Sequence, residues 1–257
     1  MARRVPLLRR LTRMDPPVVD PELALEEQRV LVDGVIVTNP ASQVLPDARI
    51  VVKAPTTLQG VRKLTPALDH FGIDPTDAVA VDLGACTGGF TQALLDRGAA
   101  HVFAIDVGHG QLLGSLRQDD RVVSLERTNL ATVTPDLLGG IHPAIIVCDV
   151  TKLALREVGR QLADNQVPKP GTDFVGLVKP MFELATASLP IDPDELRQAV
   201  ELAAQGLSEV GWDIIGWMDS VVTGHRGAVE FFIHARWLQL PQQTAPPVLP
   251  PPRGSSE

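Results

Sequence analysis

Four charged residues border apolar segments of the chain that have the composition of β-strands. Asp149 and Lys179 each follow such a segment directly. A charge beside a buried strand costs free energy unless it is paired, so these two residues are candidates for a functional role. Lys63 precedes the first of these strands, and Glu230 opens the last one. Taken alone, Lys63 or Glu230 would more often be a solvated surface charge. Strand ends on one edge of a sheet lie close together, so we expect the two lysines and the two acids to converge on one rim.

A glycine-rich loop indicates a second function at the same rim. The segment 79–90, VAVDLGACTGGF, reads as a strand, a tight turn and the start of a helix. Glycines let the backbone approach a ligand closely, and a helix N-terminus offers unpaired N–H groups. Asp106 follows the next strand and could hold the hydroxyls of a ribose. Because Gly84 and the pair Gly88-Gly89 lack the G-x-G-x-x-G spacing, the loop predicts a nucleoside cofactor other than NAD.

The elements that must position these residues alternate between strand and helix from residue 61 to 238. This alternation predicts an α/β domain with a Rossmann-like, mostly parallel sheet. The last two strands are joined by a loop too short for a crossover, so the last strand should be antiparallel. The predicted strands are 79–82, 101–105, 122–125, 144–148, 173–178, 213–217 and 229–235, and the predicted helices are 64–71, 91–95, 110–117, 153–163 and 193–210.

The first 53 residues predict a separate small module. Its start is arginine-rich with helical spacing of apolar residues, which fits either a phosphate-contacting helix or a solvated terminus. Asp20 is a plausible N-cap for a helix over 21–27. Asp33-Gly34 between apolar runs predicts a hairpin, followed by a strand over 48–52. We expect a linker over 54–60 and a disordered, proline-rich tail over 239–257.

Composition narrows the class of protein. The 257 residues are 44% hydrophobic, which supports a substantial core, and the formal net charge of −8 argues against a large phosphate-binding surface but not a local one. Cys86 and Cys148 form no CxxC motif, and the six histidines are scattered, so no metal site is predicted. No apolar run reaches 18 residues, and the expected location is the cytoplasm.

The sequence also resembles a known family. The segments KLTPALDHFGID, VDLGACTGGF, CDV, LVKPMFE and TGHRGAVEFF are similar to successive segments of the TlyA family, ribosomal RNA 2′-O-methyltransferases that are also called hemolysins. Members carry an FtsJ-like methyltransferase domain behind an S4-type RNA-binding domain. The hairpin of residues 29–37 resembles the S4 domain well, whereas the preceding helices depart from its pattern.

The resemblance implies S-adenosylmethionine as cofactor and ribosomal RNA or ribosomal subunits as partner, with cytidine ribose methylated in 16S or 23S RNA. It leaves monomer or homodimer open. It implies a catalytic tetrad of Lys63, Asp149, Lys179 and Glu230. In this tetrad, burial and Lys63 would lower the pKa of Lys179, which takes or shares the hydroxyl proton. The implied cofactor-binding residues are Asp82, Gly84, Ala85, Thr87, Gly88, Gly89, Phe90, Asp106, Val107 and Asn129. The implied RNA-binding residues are Arg9, Arg10, Arg13, Arg62, Lys152 and Arg226.

Two other functions remain open at this point. Departures from the family pattern cluster on the presumed RNA side, for example Met181 where glutamine is usual. These departures leave room for a non-catalytic RNA- or ribosome-binding protein that keeps the fold. A membrane-active hemolysin, the family's other label, ranks lower because no spanning segment is apparent.

Overall fold

The computed structural model describes residues 4–15, 18, 20–26, 28–53 and 58–238. Contacts within the chain divide it into two compact units, Met1–Leu58 and Gln59–Glu257. Most of the predicted linker, residues 54–57, and the predicted disordered tail, 239–257, lie outside the described residues.

The first unit packs two short helices against small antiparallel sheets. The Asp33-Gly34 hairpin is confirmed: both residues have positive φ, 50° and 86°, as a type I′ turn requires. The Asp20 cap is also confirmed, since its Oδ1 accepts from Leu23 N at 3.0 Å. The elements are β1 (Val5–Pro6), α1 (Leu7–Leu11), α2 (Pro21–Glu26), β2 (Val30–Val32), β3 (Val35–Ile36), β4 (Gln43–Val44) and β5 (Ile50–Val52).

The second unit is an α/β domain built on one seven-stranded sheet, as the alternation of elements predicts. Its strands are β6 (Val79–Leu83), β7 (His101–Ile105), β8 (Val122–Leu125), β9 (Ile145–Cys148), β10 (Asp173–Val178), β11 (Trp212–Asp219) and β12 (Phe231–Trp237). Its helices are α3 (Gln59–Phe71), α4 (Gly89–Asp96), α5 (Gly114–Arg117), α6 (Leu155–Asp164), α7 (Pro180–Glu183) and α8 (Pro193–Glu209).

The strand order is β11-β12-β10-β9-β6-β7-β8. Strand β12 runs antiparallel to both of its neighbours, and β10, β9, β6, β7 and β8 are parallel to one another. The chain leaves β6 toward β7 and leaves β9 toward β10, so the connections diverge between β6 and β9. A crevice at the carboxyl ends of two such strands is where open α/β sheets bind ligands.

Apolar side chains cover both faces of this sheet, which explains why its central strands are nearly continuous apolar runs. Two predicted helices differ clearly in extent from the structure, and one helix was missed. Helix α3 begins at Gln59, inside the predicted linker; α5 spans only Gly114–Arg117; and α7 was not predicted. A four-residue helix gives too little periodicity to detect from sequence.

Candidate active site

The carboxyl edge of the sheet carries a row of ionisable residues. Asp82 lies in β6, Asp106 follows β7, Asp149 follows β9 and Lys179 follows β10. Glu230 directly precedes β12, and because β12 is antiparallel, its start lies at the same edge. The fold therefore brings together residues that are up to 148 positions apart in the chain, from Asp82 to Glu230.

The four residues of the predicted tetrad form two ion pairs. Lys63 Nζ lies 2.6 Å from Glu230 Oε2, and both side chains are buried. Lys179 Nζ lies 2.5 Å from Asp149 Oδ1 and also donates to the carbonyl oxygen of Val150 at 3.0 Å. The two pairs influence each other, because Glu230 acts on the charge of Lys179 and Asp149 acts on that of Glu230.

The pKa of Lys179 differs from the prediction. Burial opposes its charge, but the carboxylates of Asp149 and Glu230 outweigh burial and raise the pKa above the ordinary lysine value. The predicted lowering was therefore wrong, and Lys179 is an ammonium ion at neutral pH in this structure. Burial raises the pKa of Glu230, although its bond to Lys63 opposes that shift.

The glycine loop touches the tetrad through its backbone. Gly84 has φ +83°, and a Cβ there would stand 2.5 Å from the carbonyl oxygen of Asp149. Gly89, at the start of α4, lies against Gly60 of α3, where a Cβ on Gly89 would come within 2.6 Å of the Gly60 Cα. The loop therefore lies against both Asp149 and the helix that carries Lys63, and a larger residue at either contact would push them apart.

Asp106 anchors the loop from the neighbouring strand. Its Oδ2 accepts from Cys86 N at 2.8 Å and its Oδ1 from Gly108 N at 2.7 Å. Each oxygen retains a lone pair, because a carboxylate has about four acceptor sites. The side chain is partly exposed, so it can still accept hydrogen bonds from a ligand.

Asp82 is a buried structural acid and is inaccessible to a ligand. It has no exposed surface; Oδ2 accepts from Thr91 Oγ1 at 2.6 Å, and Oδ1 has no partner among the described residues. Burial raises its pKa to about 7 against the effect of Thr91, and the nearby charges of Asp149 and Asp106 add to the rise. The Asp82 side chain therefore lies inside the fold in this structure, and its predicted part in cofactor binding would be indirect.

Other predicted cofactor residues divide into rim and core. Phe90 is a core residue, packed against Phe232 with ring centroids 6.0 Å apart, so its side chain faces the core and only its backbone lies in the loop. Ala85 is also buried. Val107 is 70% exposed at the rim. Asn129 is exposed and its Oδ1 caps the turn at Ala131 N. The partly buried Thr87 and the left-handed Gly88 complete the loop.

The predicted RNA-binding residues belong to both units. In the first unit, Arg9 and Arg13 are exposed, whereas Arg10 is partly buried and donates to the Ala48 carbonyl oxygen at 3.4 Å. In the second unit, the three basic residues are exposed, and each lies within four positions of a tetrad member in the chain. They are Arg62, Lys152 and Arg226.

Two features of the site escaped the sequence analysis. Gly224 lies over the acid of the first ion pair, since a Cβ there would stand 2.2 Å from Glu230 Oε1. Glu183 bonds the start of α6 and is almost completely buried. Both residues lie in segments that resemble the TlyA family, LVKPMFE and TGHRGAVEFF, but neither belongs to a local pattern that indicates a role.

The fold and the site define a class of protein. The sheet is doubly wound with an antiparallel strand beside β10, a glycine loop follows β6, and an acid follows β7. The class is that of the S-adenosylmethionine-dependent methyltransferases. Residues 58–237 match the family model described as FtsJ-like methyltransferase. S-adenosylmethionine is the methyl donor of this class, so the predicted cofactor is confirmed.

Several known proteins are similar to this chain over most of its length. The 16S/23S rRNA (cytidine-2′-O)-methyltransferase TlyA of Mycobacterium tuberculosis is 36% identical over 248 residues, with 90% of each chain covered. Hemolysin A of Brachyspira hyodysenteriae is 31% identical over 216 residues, covering 80% of this chain and 88% of that one. A solved hemolysin-named protein of Streptococcus thermophilus superposes with a TM-score of 0.73 at 26% identity, covering 96% and 93%. The chain belongs to the FtsJ-like methyltransferases and, within them, to the TlyA family.

Within the part of the chain that the structure describes, no helix is long and apolar enough to cross a membrane.

Proposed function

We propose that this protein transfers a methyl group from S-adenosylmethionine to the ribose 2′-hydroxyl of cytidine in 16S or 23S ribosomal RNA, in the cytoplasm. The carrying observation is the two ion pairs, Lys63–Glu230 and Lys179–Asp149, which act on each other's charges at the edge where the Gly84 loop meets Asp149. The relatives whose names state this reaction support the choice of substrate.

The cofactor supplies a methyl group on a positively charged sulfur, and the protein must align a weakly nucleophilic hydroxyl with it. Lys179 is suited to donate a hydrogen bond to the 2′-oxygen and so to fix the direction of its free lone pair. As the sulfur–methyl bond breaks and the oxygen–methyl bond forms, the Asp149 carboxylate would take the hydroxyl proton, and the cofactor would leave as a neutral thioether. Alignment is the main contribution of such a site, with about 7–11 kcal/mol available in principle.

The other tetrad members have supporting roles in this proposal. Glu230 is held by Lys63 and acts on the charge of Lys179, so the pair stabilises the ammonium form. On the cofactor side, Asp106 and the backbone of the loop 84–89 are suited to hold the ribose and the amino acid end. Asp82 would support this loop indirectly, because its hydrogen bond with Thr91 fixes the position of α4.

RNA binding would involve both units. The exposed Arg62, Lys152 and Arg226 offer charge for phosphates near the tetrad. In the first unit, the Asp33-Gly34 hairpin and the exposed Arg9 and Arg13 support an S4-like RNA-binding module. Ribosomal RNA, free or within a ribosomal subunit, is the proposed partner.

The test is methyl transfer from labelled S-adenosylmethionine to small and large ribosomal subunits and to their naked RNA. Ribose methylation is recognised because it makes the neighbouring phosphodiester resistant to alkali. For the wild type we expect label in alkali-resistant dinucleotides. For Lys179→Ala we expect turnover to fall by about 100-fold or more, because the hydrogen bond that orients the 2′-oxygen is lost, with cofactor affinity within about threefold of wild type.

Lys169→Ala is the matched control, because Lys169 is an exposed lysine near the opposite end of the same strand, β10. It should behave as wild type. A wild-type protein that binds S-adenosylmethionine and RNA but labels no ribose would contradict the proposal and favour the non-catalytic RNA-binding alternative. An active Lys179→Ala protein would refute the role of the lysine alone.

A further inference from the structure

Glu183 is a buried acid near the tetrad for which the proposed reaction has no use. It is the last residue of α7 and only 2% exposed. Burial raises its pKa to about 7, although its bonds to Leu155 and Arg156 oppose the rise. A carboxylate held in such a position needs compensating contacts, since burying an unpaired charge costs several kcal/mol.

Its contacts join two segments that are distant in the chain. Glu183 Oε1 accepts a hydrogen bond from Leu155 N, the first residue of α6. Glu183 Oε2 accepts from Arg156 Nη1 at 3.0 Å, and the same nitrogen donates to the Glu183 carbonyl oxygen at 2.9 Å. The residue at the N-cap of α6 is Ala154, which has no side-chain acceptor, so Glu183 caps α6 from another element.

We call the contacts of Glu183 with Leu155 and Arg156 the junction. Two glycines leave the space that these contacts need. A Cβ on Gly176 of β10 would stand 2.6 Å from Leu155 Cδ1, and a Cβ on Gly206 of α8 would stand 2.4 Å from Arg156 Cβ. Glycine inside a helix costs about 1 kcal/mol relative to alanine, so Gly206 has a packing reason to be there. Leu155 and Arg156 are therefore enclosed by β10, α8 and Glu183.

The two joined segments are the ones that carry the Lys179–Asp149 pair. One runs from Asp149 to Arg156, and the other runs from Lys179 to Glu183. Lys179 connects them at one end through Asp149 and the Val150 carbonyl, and Glu183 connects them at the other through Leu155 and Arg156. Strands β9 and β10 pair directly before these segments, and beyond the paired strands the two connections fix both the separation and the angle of the segments.

We propose that Glu183 is a positioning residue that holds the Lys179 and Asp149 segments together, so that the ion pair keeps its geometry when a hydroxyl enters the site. The inference rests on the proposed function for its effect on turnover. A residue that merely stabilised the fold would instead change the fraction of folded protein and leave turnover per folded molecule unchanged.

The experiment compares Glu183→Gln with wild type by lysine-selective ¹⁵N NMR and by methyl-transfer kinetics. The chain has only five lysines, so the Lys179 resonance can be assigned by substitution. In the wild type we expect its ammonium protons to exchange slowly with water. In Glu183→Gln we expect faster exchange at Lys179, no change at the more deeply buried Lys63, and a kcat at least about 10-fold lower, with an unchanged KM for S-adenosylmethionine.

Glu157→Gln is the matched control, because Glu157 lies in the first turn of the same helix and pairs with Arg160 at the surface. It should match wild type in both measurements. If Glu183→Gln does not fold, Arg156→Ala removes one side of the junction from a partly exposed position and should shift the Lys179 exchange in the same direction.

An unchanged Lys179 resonance in the folded variant would overturn the inference, and so would altered exchange with an unchanged kcat. A wild-type protein that methylates no RNA would refute the proposed function instead. In that case the NMR comparison alone decides whether Glu183 holds the ion pair.

Discussion

The two halves of the site are held by different means. On the side proposed to bind the cofactor, most contacts involve backbone groups: Asp106 accepts two backbone N–H bonds, and glycines allow close contact of main chains. On the tetrad side, ionised side chains from distant segments pair directly, as in Lys63–Glu230 and Lys179–Asp149.

The difference has a physical consequence. The geometry of a loop held by backbone contacts depends on residue size and on φ. Glycine meets both requirements, because it has no Cβ and adopts positive φ readily. A buried ion pair depends on its partner, because removing one member leaves an uncompensated charge. The cofactor half should therefore be sensitive to added volume, and the tetrad half to lost charge.

The largest expected effect follows from breaking the Lys63–Glu230 pair. Lys63→Met should lower the free energy of unfolding by about 3–5 kcal/mol, because Glu230 remains buried without its counter-charge. Urea denaturation measures this loss. The surface pair of Arg160 and Glu157 provides the contrast, and Arg160→Met should cost at most about 1 kcal/mol. Equal losses at both sites would show that burial does not distinguish the pairs.

The next effect concerns volume in the loop. Gly84→Ala should weaken S-adenosylmethionine binding by about 100-fold, or about 3 kcal/mol, because the new Cβ meets the Asp149 carbonyl and φ is +83°. Calorimetry with the cofactor measures it. Gly140→Ala has a similar φ of +79° but open space around it, and should bind normally. Comparable binding by both variants would remove the steric explanation.

The smallest effect is expected at the exposed basic residues. Arg226→Ala and Lys152→Ala should each weaken RNA binding severalfold and reduce the salt slope by about 1, with cofactor affinity unchanged. Filter binding across salt concentrations provides the measurement. A variant that loses cofactor affinity as well would show that the two halves are less separate than the contacts indicate.

Much of the fold was predictable because its signals are local. The Asp33-Gly34 turn, the alternation of strands and helices, and the antiparallel β12 all follow from short patterns of residues. Helix α7 and the early start of α3 were missed because short or proline-containing segments show little periodicity.

The site was only partly predictable. The prediction that the tetrad residues meet at one edge of the sheet was confirmed, because a doubly wound sheet aligns the carboxyl ends of its parallel strands. The orientations of Asp82 and Phe90 were missed, because a residue in or beside a glycine loop can face the ligand or the core, and packing decides which.

The sequence by itself determined the architecture, the glycine loop and the identity of the charged residues, because periodicity and spacing act within a few residues. Only the tertiary structure decided which charges pair. Lys63 meets Glu230 across 167 positions, and Glu183 caps a helix from 28 positions away. The same holds for the pKa of Lys179, since burial and through-space distances to Asp149 and Glu230 set its charge, and neither is written in local sequence.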